Sequence, residues 1–197
     1  MVKVLIGTNN LGKHIEISEV LGDLNVELLT PTDLGITLEP EETGSTYAEN
    51  ALLKAKHFYE HGGAIPTISD DSGIVIDAIA DELGVYTRRW GAGAQATDEE
   101  WISYFLNRMR EEDNKKARFV CNLAYIDSQG EHHLFEGICE GIITEELEAE
   151  YLPGLPISAC FKPDGFDKVY SAMAIDEKNA ISHRGRSLQF LRTHLLA

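Results

Sequence analysis

The sequence predicts an α/β fold with a mixed β-sheet. Two patterns point to it. The chain opens as strand, glycine-bearing loop, helix and strand, and its second half is written in hairpin-like apolar runs. A third observation sets the scale. With 197 residues, 43% hydrophobic and 25% charged, the chain has an ordinary globular composition, enough for one large domain or two small lobes sharing one core.

Taken in order, Val2 to Ile6 is a continuous apolar run and predicts a buried strand. The loop Gly7-Thr8-Asn9-Asn10-Leu11-Gly12-Lys13 follows, then a helix whose apolar stripe is Ile17, Val20, Leu21 and Leu24. Val26 to Leu29 reads as the second strand. A loop over residues 31–45 carries the acidic run Glu39-Pro40-Glu41-Glu42. Thr46-x-x-Glu49 is a capping box, and the helix it opens carries Ala48, Ala51, Leu52, Ala55, Phe58 and Tyr59 on one side before Gly62-Gly63 ends it. Thr67-Ile68-Ser69 and Ile74-Val75-Ile76 read as two strands joined by a turn at Asp70-Asp71-Ser72-Gly73.

A Gly- and Arg-rich loop spans residues 84–96, and Thr97-x-x-Glu100 is a second capping box. Its helix carries Trp101, Ile102, Phe105, Leu106 and Met109 at helical spacing. Residues 119–126, a turn at Asp127-Ser128-Gln129-Gly130 and His133 to Phe135 read as a hairpin, with residues 137–144 as a further strand. Residues 151–165 are irregular, and one last helical region covers about residues 176–195. There is no internal repeat, low-complexity stretch or linker, so the chain is read as a single domain over residues 1–197.

Charge narrows the function. The chain has 33 Asp+Glu against 17 Lys+Arg, a formal net charge of -16. A duplex binder needs a basic face that displaces counterions, so no nucleic-acid partner is expected. A phosphate-bearing small molecule needs only a few clustered cations and a metal. Cys121, Cys139 and Cys160 are odd in number and widely spaced, which fits reduced thiols. The opening residues turn polar too quickly for a signal peptide, and no apolar run reaches the ~18 residues of a membrane helix. No membrane partner and a cytoplasmic location are expected.

Four segments hold residue types suited to chemistry. The first, Gly7 to Lys13, aims backbone amides and a helix N-terminus at an anion and adds a mobile lysine charge. It approaches the P-loop pattern, but His14 stands where a hydroxyl must touch magnesium, so a Walker-type NTPase is excluded. The same residues also suit a plain strand–helix turn. The second, Asp70-Asp71-Ser72-Gly73, offers oxygen ligands for a hard cation and a carboxylate that can take a proton from water, or else it is simply a turn. The third is Glu41-Glu42-Thr43-Gly44, followed by Glu49, Asn50 and Lys54, where Glu41 or Glu42 can add a metal oxygen. The fourth packs Lys178, His183, Arg184 and Arg186 into nine residues of a very acidic chain. That suits an anion or a base edge, because cations are otherwise misplaced at a helix start. Together these segments point to a metal-dependent enzyme or binder for a nucleotide-like polyphosphate.

Seven blocks in order carry a family resemblance. They are Thr8-Asn9-Asn10-Leu11-Gly12-Lys13; Glu41-Glu42-Thr43-Gly44-Ser45-Thr46-Tyr47-Ala48-Glu49-Asn50-Ala51; Asp70-Asp71-Ser72-Gly73; Gly84-Val85-Tyr86; Ala117-Arg118-Phe119; Phe135-Glu136-Gly137; and Glu177-Lys178-Asn179-Ala180-Ile181-Ser182-His183-Arg184-Gly185. On these the chain resembles the inosine triphosphate pyrophosphatase family, the dITP/XTP or non-standard purine NTP pyrophosphatases. The resemblance implies hydrolysis of ITP, dITP or XTP to the monophosphate and pyrophosphate, by water attack at the α-phosphorus. It also implies an elongated two-lobed α/β fold with helices flanking a mixed central sheet, an active-site cleft between the lobes, Mg²⁺ and a homodimer.

Carried over by residue, the resemblance implies that Thr8, Asn9, Asn10, Leu11, Gly12 and Lys13 hold the triphosphate. Glu41 and Asp71 bind the metal, and Asp71 also activates the water. Ser72, Lys178, His183 and Arg184 touch the nucleotide, the last two near the 6-oxo edge of the purine. One segment departs from the family. Where the family carries Gly-Phe-Gly-aromatic-Asp-Pro around the base, this chain has Gly154-Leu155-Pro156-Ile157-Ser158-Ala159. Leu155, Pro156, Ile157 and Ser158 occupy base-binding positions without the aromatic faces or the acid. Two alternatives follow from that departure: the same reaction with altered base specificity, or a non-catalytic nucleotide-binding protein.

Overall fold

The structure is a computed structural model that describes residues 2–38, 40–85, 90–93 and 95–196. Glu39 of the acidic run, and Tyr86, Arg88 and Arg89 of the Gly- and Arg-rich loop, lie outside the described residues. The strands are β1 (Val2–Ile6), β2 (Val26–Leu29), β3 (Thr67–Ile76), β4 (Lys116–Ile126), β5 (His132–Ile143) and β6 (Phe161–Pro163). The helices are α1 (Leu11–Leu21), α2 (Tyr47–His61), α3 (Ala80–Leu83), α4 (Asp98–Met109), α5 (Ile175–Ile181) and α6 (His183–Leu195). The strands form one sheet in the order β2-β1-β3-β4-β5-β6. β1 runs parallel to β2 and β3, whereas β6 runs antiparallel to β5, so the sheet is mixed as expected. No described helix is long and apolar enough to cross a membrane.

Helix ends follow local chemistry. Asn10 caps α1 by accepting from the Lys13 N–H, and Thr46 caps α2 by accepting from the Glu49 N–H. The Glu49 carboxylate accepts from the N–H and hydroxyl of Ser45. At α4 the full reciprocal box forms between Thr97 and Glu100.

Two compact units are distinguished. The first lies within residues 2–72, 121–137 and 182–196. Its main core joins Val4, Ile6, Ile17, Leu21, Ile68, Leu123, Leu188 and Leu191, so α1 and α6 lie together over one face of the strands. The alternation of β4 divides its side chains: Leu123 and Tyr125 join that core, whereas Ala124 and Ile126 meet Ala51 and Ala55 of α2. The second unit lies within residues 73–120 and 138–181. Its core includes Ile74, Ile76, Trp101, Phe105, Phe119, Phe161 and Tyr170. The Trp101 and Phe105 rings stack with centroids 5.3 Å apart.

Three sequence expectations are corrected. Residues 70–73 are not a turn: Thr67–Ile76 is one strand. The cations around Asp70, described below, override the turn preference of Asp, Ser and Gly. The segment after the Asp127 turn is likewise one strand, His132–Ile143. Gly137 sits inside it because a β-carbon there would fall 2.0 Å from the His183 carbonyl oxygen of α6. The last helical region is two helices. Ser182 adopts an extended conformation and accepts from the Gly185 N–H, ending α5 and capping α6.

Candidate active site

The period of β3 organises the first unit's polar centre. Ile68 points into the core beneath α1 and α6, so Asp70 and Ser72 face the same way and Asp71 faces the opposite way. Lys13, at the start of α1, places its Nζ 3.1 Å from the Asp70 carboxylate and donates to the Asp70 carbonyl at 3.3 Å. Arg184, in the first turn of α6, puts its Nε 3.2 Å from Asp70 Oδ2 and donates from Nη2 to Ser72 Oγ at 2.9 Å. Its Nη1 pairs with Glu16 of α1. On the opposite face, Lys54 of α2 holds Asp71 Oδ1 at 2.9 Å and Glu42 Oε1 at 3.0 Å.

Burial separates the roles of the two adjacent acids. The Asp70 side chain is 0% exposed and the Asp71 side chain 12%, so only Asp71 is placed to meet a ligand. Burial alone would raise the Asp70 carboxyl, but the Lys13 and Arg184 cations outweigh it and hold the group well below the usual carboxylate range. Burial disfavours the Lys54 ammonium, yet Asp71 and Asp70 raise its pKa and keep it charged. Behind them, burial and the Asp70 charge push the Cys121 thiol up to about 12. The sequence suggested the two aspartates as joint ligands of one cation. The strand sends their side chains to opposite faces, so Asp70 acts as an internal counter-ion.

The loop before α1 is built to present backbone. Gly7 donates to Ile68 O at 2.7 Å and accepts from Ser69 Oγ at 2.9 Å, and a β-carbon on it would fall 2.4 Å from that same Oγ. Thr8 Oγ1 accepts from the Asn10 N–H. Asn9, Asn10 and Leu11 are exposed and Gly12 is half-buried, which leaves the N-terminus of α1 turned to solvent beside Lys13.

The first unit therefore holds four residues expected from the sequence, Lys13, Ser72 and Arg184 on the Asp70 face of β3 and Asp71 on the other. His183 is buried at the start of α6. Residues 155–158 and Lys178 belong to the second unit. There Pro156–Ala159 forms a buried 3₁₀ turn, and the Ser158 hydroxyl donates back to Leu155 O at 2.6 Å. Sequence reasoning gave Lys54 and Glu16 no role. Their signal was present as polar residues within buried helical stripes: Asn50 and Lys54 among Tyr47, Ala51, Ala55 and Phe58, and Glu16 beside Ile17 and Val20.

The donor set suits the Mg²⁺ that the resemblance implies. Among the described residues no three His, Cys, Asp or Glu side chains sit together as a metal cage. What exists is carboxylate oxygen on Asp71 and Glu42, with Glu41 exposed next to it. Mg²⁺ is commonly held by one or two carboxylates, water and substrate phosphates, so these residues fit it.

Known proteins resemble this chain over nearly its whole length. A dITP/XTP pyrophosphatase of Leptospira interrogans is 40% identical over 97% of this chain and 98% of its own length. One from Aquifex aeolicus is 38% identical over 99% and 96%. The solved HAM1 protein of Coxiella burnetii superposes with a TM-score of 0.87 at 32% identity, covering 100% of this chain and 99% of that one. The Ham1 protein of Staphylococcus aureus gives 0.82 at 29%, covering 98% and 97%. The model of the Ham1 family matches residues 4–194, and the chain belongs to that family.

Proposed function

We propose that this chain is a nucleoside triphosphate pyrophosphohydrolase that converts non-standard purine triphosphates, ITP, dITP and XTP, to the monophosphate and pyrophosphate. It acts in the cytoplasm as a homodimer, with residues 1–197 working as one functional domain. The observation that carries the proposal is that adjacent residues of β3 hold both groups, Asp71 directly and Lys13 through Asp70. Asp71 stands part-exposed against Lys54, while Lys13 is anchored on Asp70 at the N-terminus of α1.

The reaction follows from those positions. Asp71 orients a water and takes its proton as the water oxygen bonds to the α-phosphorus. The bond from that phosphorus to the bridging oxygen breaks, and pyrophosphate leaves. Lys13 and the amides at the start of α1 stabilise the charge that develops on the departing phosphates. Asp71 with Glu41 or Glu42 would hold the Mg²⁺, which would supply further charge neutralisation for the phosphates. Lys54 holds the Asp71 carboxylate in place through its 2.9 Å contact.

The test is pyrophosphate release with Mg²⁺ from ITP, dITP, XTP, ATP, GTP, CTP, UTP and dTTP. Asp71→Asn should lower kcat by about 10²–10⁴-fold with the fold intact. Nucleotide binding without release of pyrophosphate from any triphosphate would instead mark a binding protein and overturn the proposal. A second reading, the same reaction on other bases, is favoured by one observation: the residue at the family's acid position, Ser158, spends its hydroxyl on Leu155 O. Turnover spread beyond ITP, dITP and XTP would establish it.

A further inference from the structure

Within the second unit, residues 152–155 form a tight turn in which the Leu155 N–H reaches Leu152 O at 3.0 Å. Pro153 occupies its second position and Gly154 its third with φ +82°, the pattern of a type II turn. In such a turn the N–H of the third residue takes no part in the turn's own bond. Here it donates to the Asp98 carboxylate at 2.6 Å, 56 residues away in sequence. Asp98 is the first residue of α4, and the cap of that helix is completed without it by Thr97 and Glu100. α4 packs against the Pro156–Ala159 turn, and Trp101 and Phe105 share a core with Ile157. Beyond that turn the backbone is pinned again, by Glu148 N to Ala159 O and Thr144 N to Cys160 O, both 2.8 Å.

We propose that Asp98 is a positioning residue for nucleobase discrimination. Its carboxylate ties the 152–155 turn to α4 and so sets where the backbone of residues 155–158 stands. This rests on the reading above that residues 155–158 frame the base. The segment carries no aromatic side chain, so its selectivity depends on where the backbone and the small side chains are held. A mobile turn would blur that placement and leave the phosphate chemistry of the first unit untouched.

Steady-state pyrophosphate release from ITP, XTP, ATP and UTP is measured for the wild type, Asp98→Ala, Asp98→Asn and Leu155→Ala, with a thermal melt of each. Asp98→Ala should shrink the kcat/KM ratio of favoured over disfavoured bases by about tenfold, mainly through KM, with kcat on the favoured base within about threefold. Asp98→Asn keeps an acceptor oxygen and should restore the ratio to within about twofold of the wild type. Should Asp98→Ala lose its cooperative melt, Asp98→Ser, too short to reach the Gly154 N–H, takes its place with the same expectation. An equal loss on every nucleotide would assign Asp98 a merely structural role and overturn the proposal. A ratio changed by Leu155→Ala but not by Asp98→Ala would overturn the positioning role and leave the base frame standing. A ratio changed by neither would overturn the base frame itself, and the positioning role with it.

Discussion

At the scale of the residue, Asp70 matters most for stability. It lies between two cations, of which Arg184 is only 4% exposed. Asp70→Asn would take that counter-charge from Lys13 and leave Arg184 with Glu16 alone, and the expected cost is about 3–5 kcal/mol of unfolding free energy. The pH dependence has a definite sign. The folded carboxyl is more acidic than the unfolded one, so the stabilisation is complete above the unfolded range near about 4 and is lost as pH falls toward the folded value. Urea unfolding of wild type and variant should therefore differ by a constant amount between pH 6 and pH 8, to about 0.5 kcal/mol, and converge in acid. A gap that widened below about pH 4 would contradict this. The thiols give a second test. Cys121 and Cys160 are both pushed up to about 12, chiefly by burial, and Cys139 is buried as well. Native protein should show no reactive thiol toward a thiol-titrating disulfide at pH 8, and all three should react in denaturant.

At the scale of the element, α6 ties its position to one glycine. A β-carbon on Gly137 would meet the His183 carbonyl oxygen at 2.0 Å and the Ser187 nitrogen at 2.7 Å, both backbone atoms that cannot rotate away. Gly137→Ala should shift the first turn of α6, cost about 3 kcal/mol and depress turnover through the displaced Arg184. Ser182→Ala removes only the cap and should cost about 1 kcal/mol, with the kinetic constants near those of the wild type. Paired melts and rate measurements separate the two, and equal effects would deny the glycine its role. These elements also mark how far local pattern carries. Both capping residues and the glycine end of α2 were legible, because each depends on neighbours within about four residues. The unbroken course of β3 and β5 was not. In each case a residue that locally favours a turn or a break is held in the strand by groups brought from elsewhere in the chain.

At the scale of the whole molecule, the net charge of -16 works against compaction. Raising salt from about 10 mM to about 150 mM shortens the screening length from ~30 Å to ~8 Å. The thermal midpoint should rise over that range, read by calorimetry or dye binding. A fall would mean that screened ion pairs such as Lys54 with Asp71 outweigh the general repulsion. The two units bury separate apolar clusters, so one denaturant transition followed by both tryptophan fluorescence and far-UV ellipticity would indicate that they unfold together.

The sequence by itself determined the α/β class, the strand–loop–helix that presents Lys13, the helix caps, and the family through motifs standing in order. Each is written in neighbouring residues or in their succession along the chain. Only the tertiary structure decided which acid faces a ligand and which is an internal counter-ion. It also brought Glu16 onto Arg184 across 168 residues and joined Lys54 to both Asp71 and Glu42. The physical reason is that a charge's environment is set by what packs against it. Adjacent aspartates are alike in sequence, but a strand turns one toward Lys13 and Arg184 and the other toward Lys54, and burial with its paired cations then separates their chemistry.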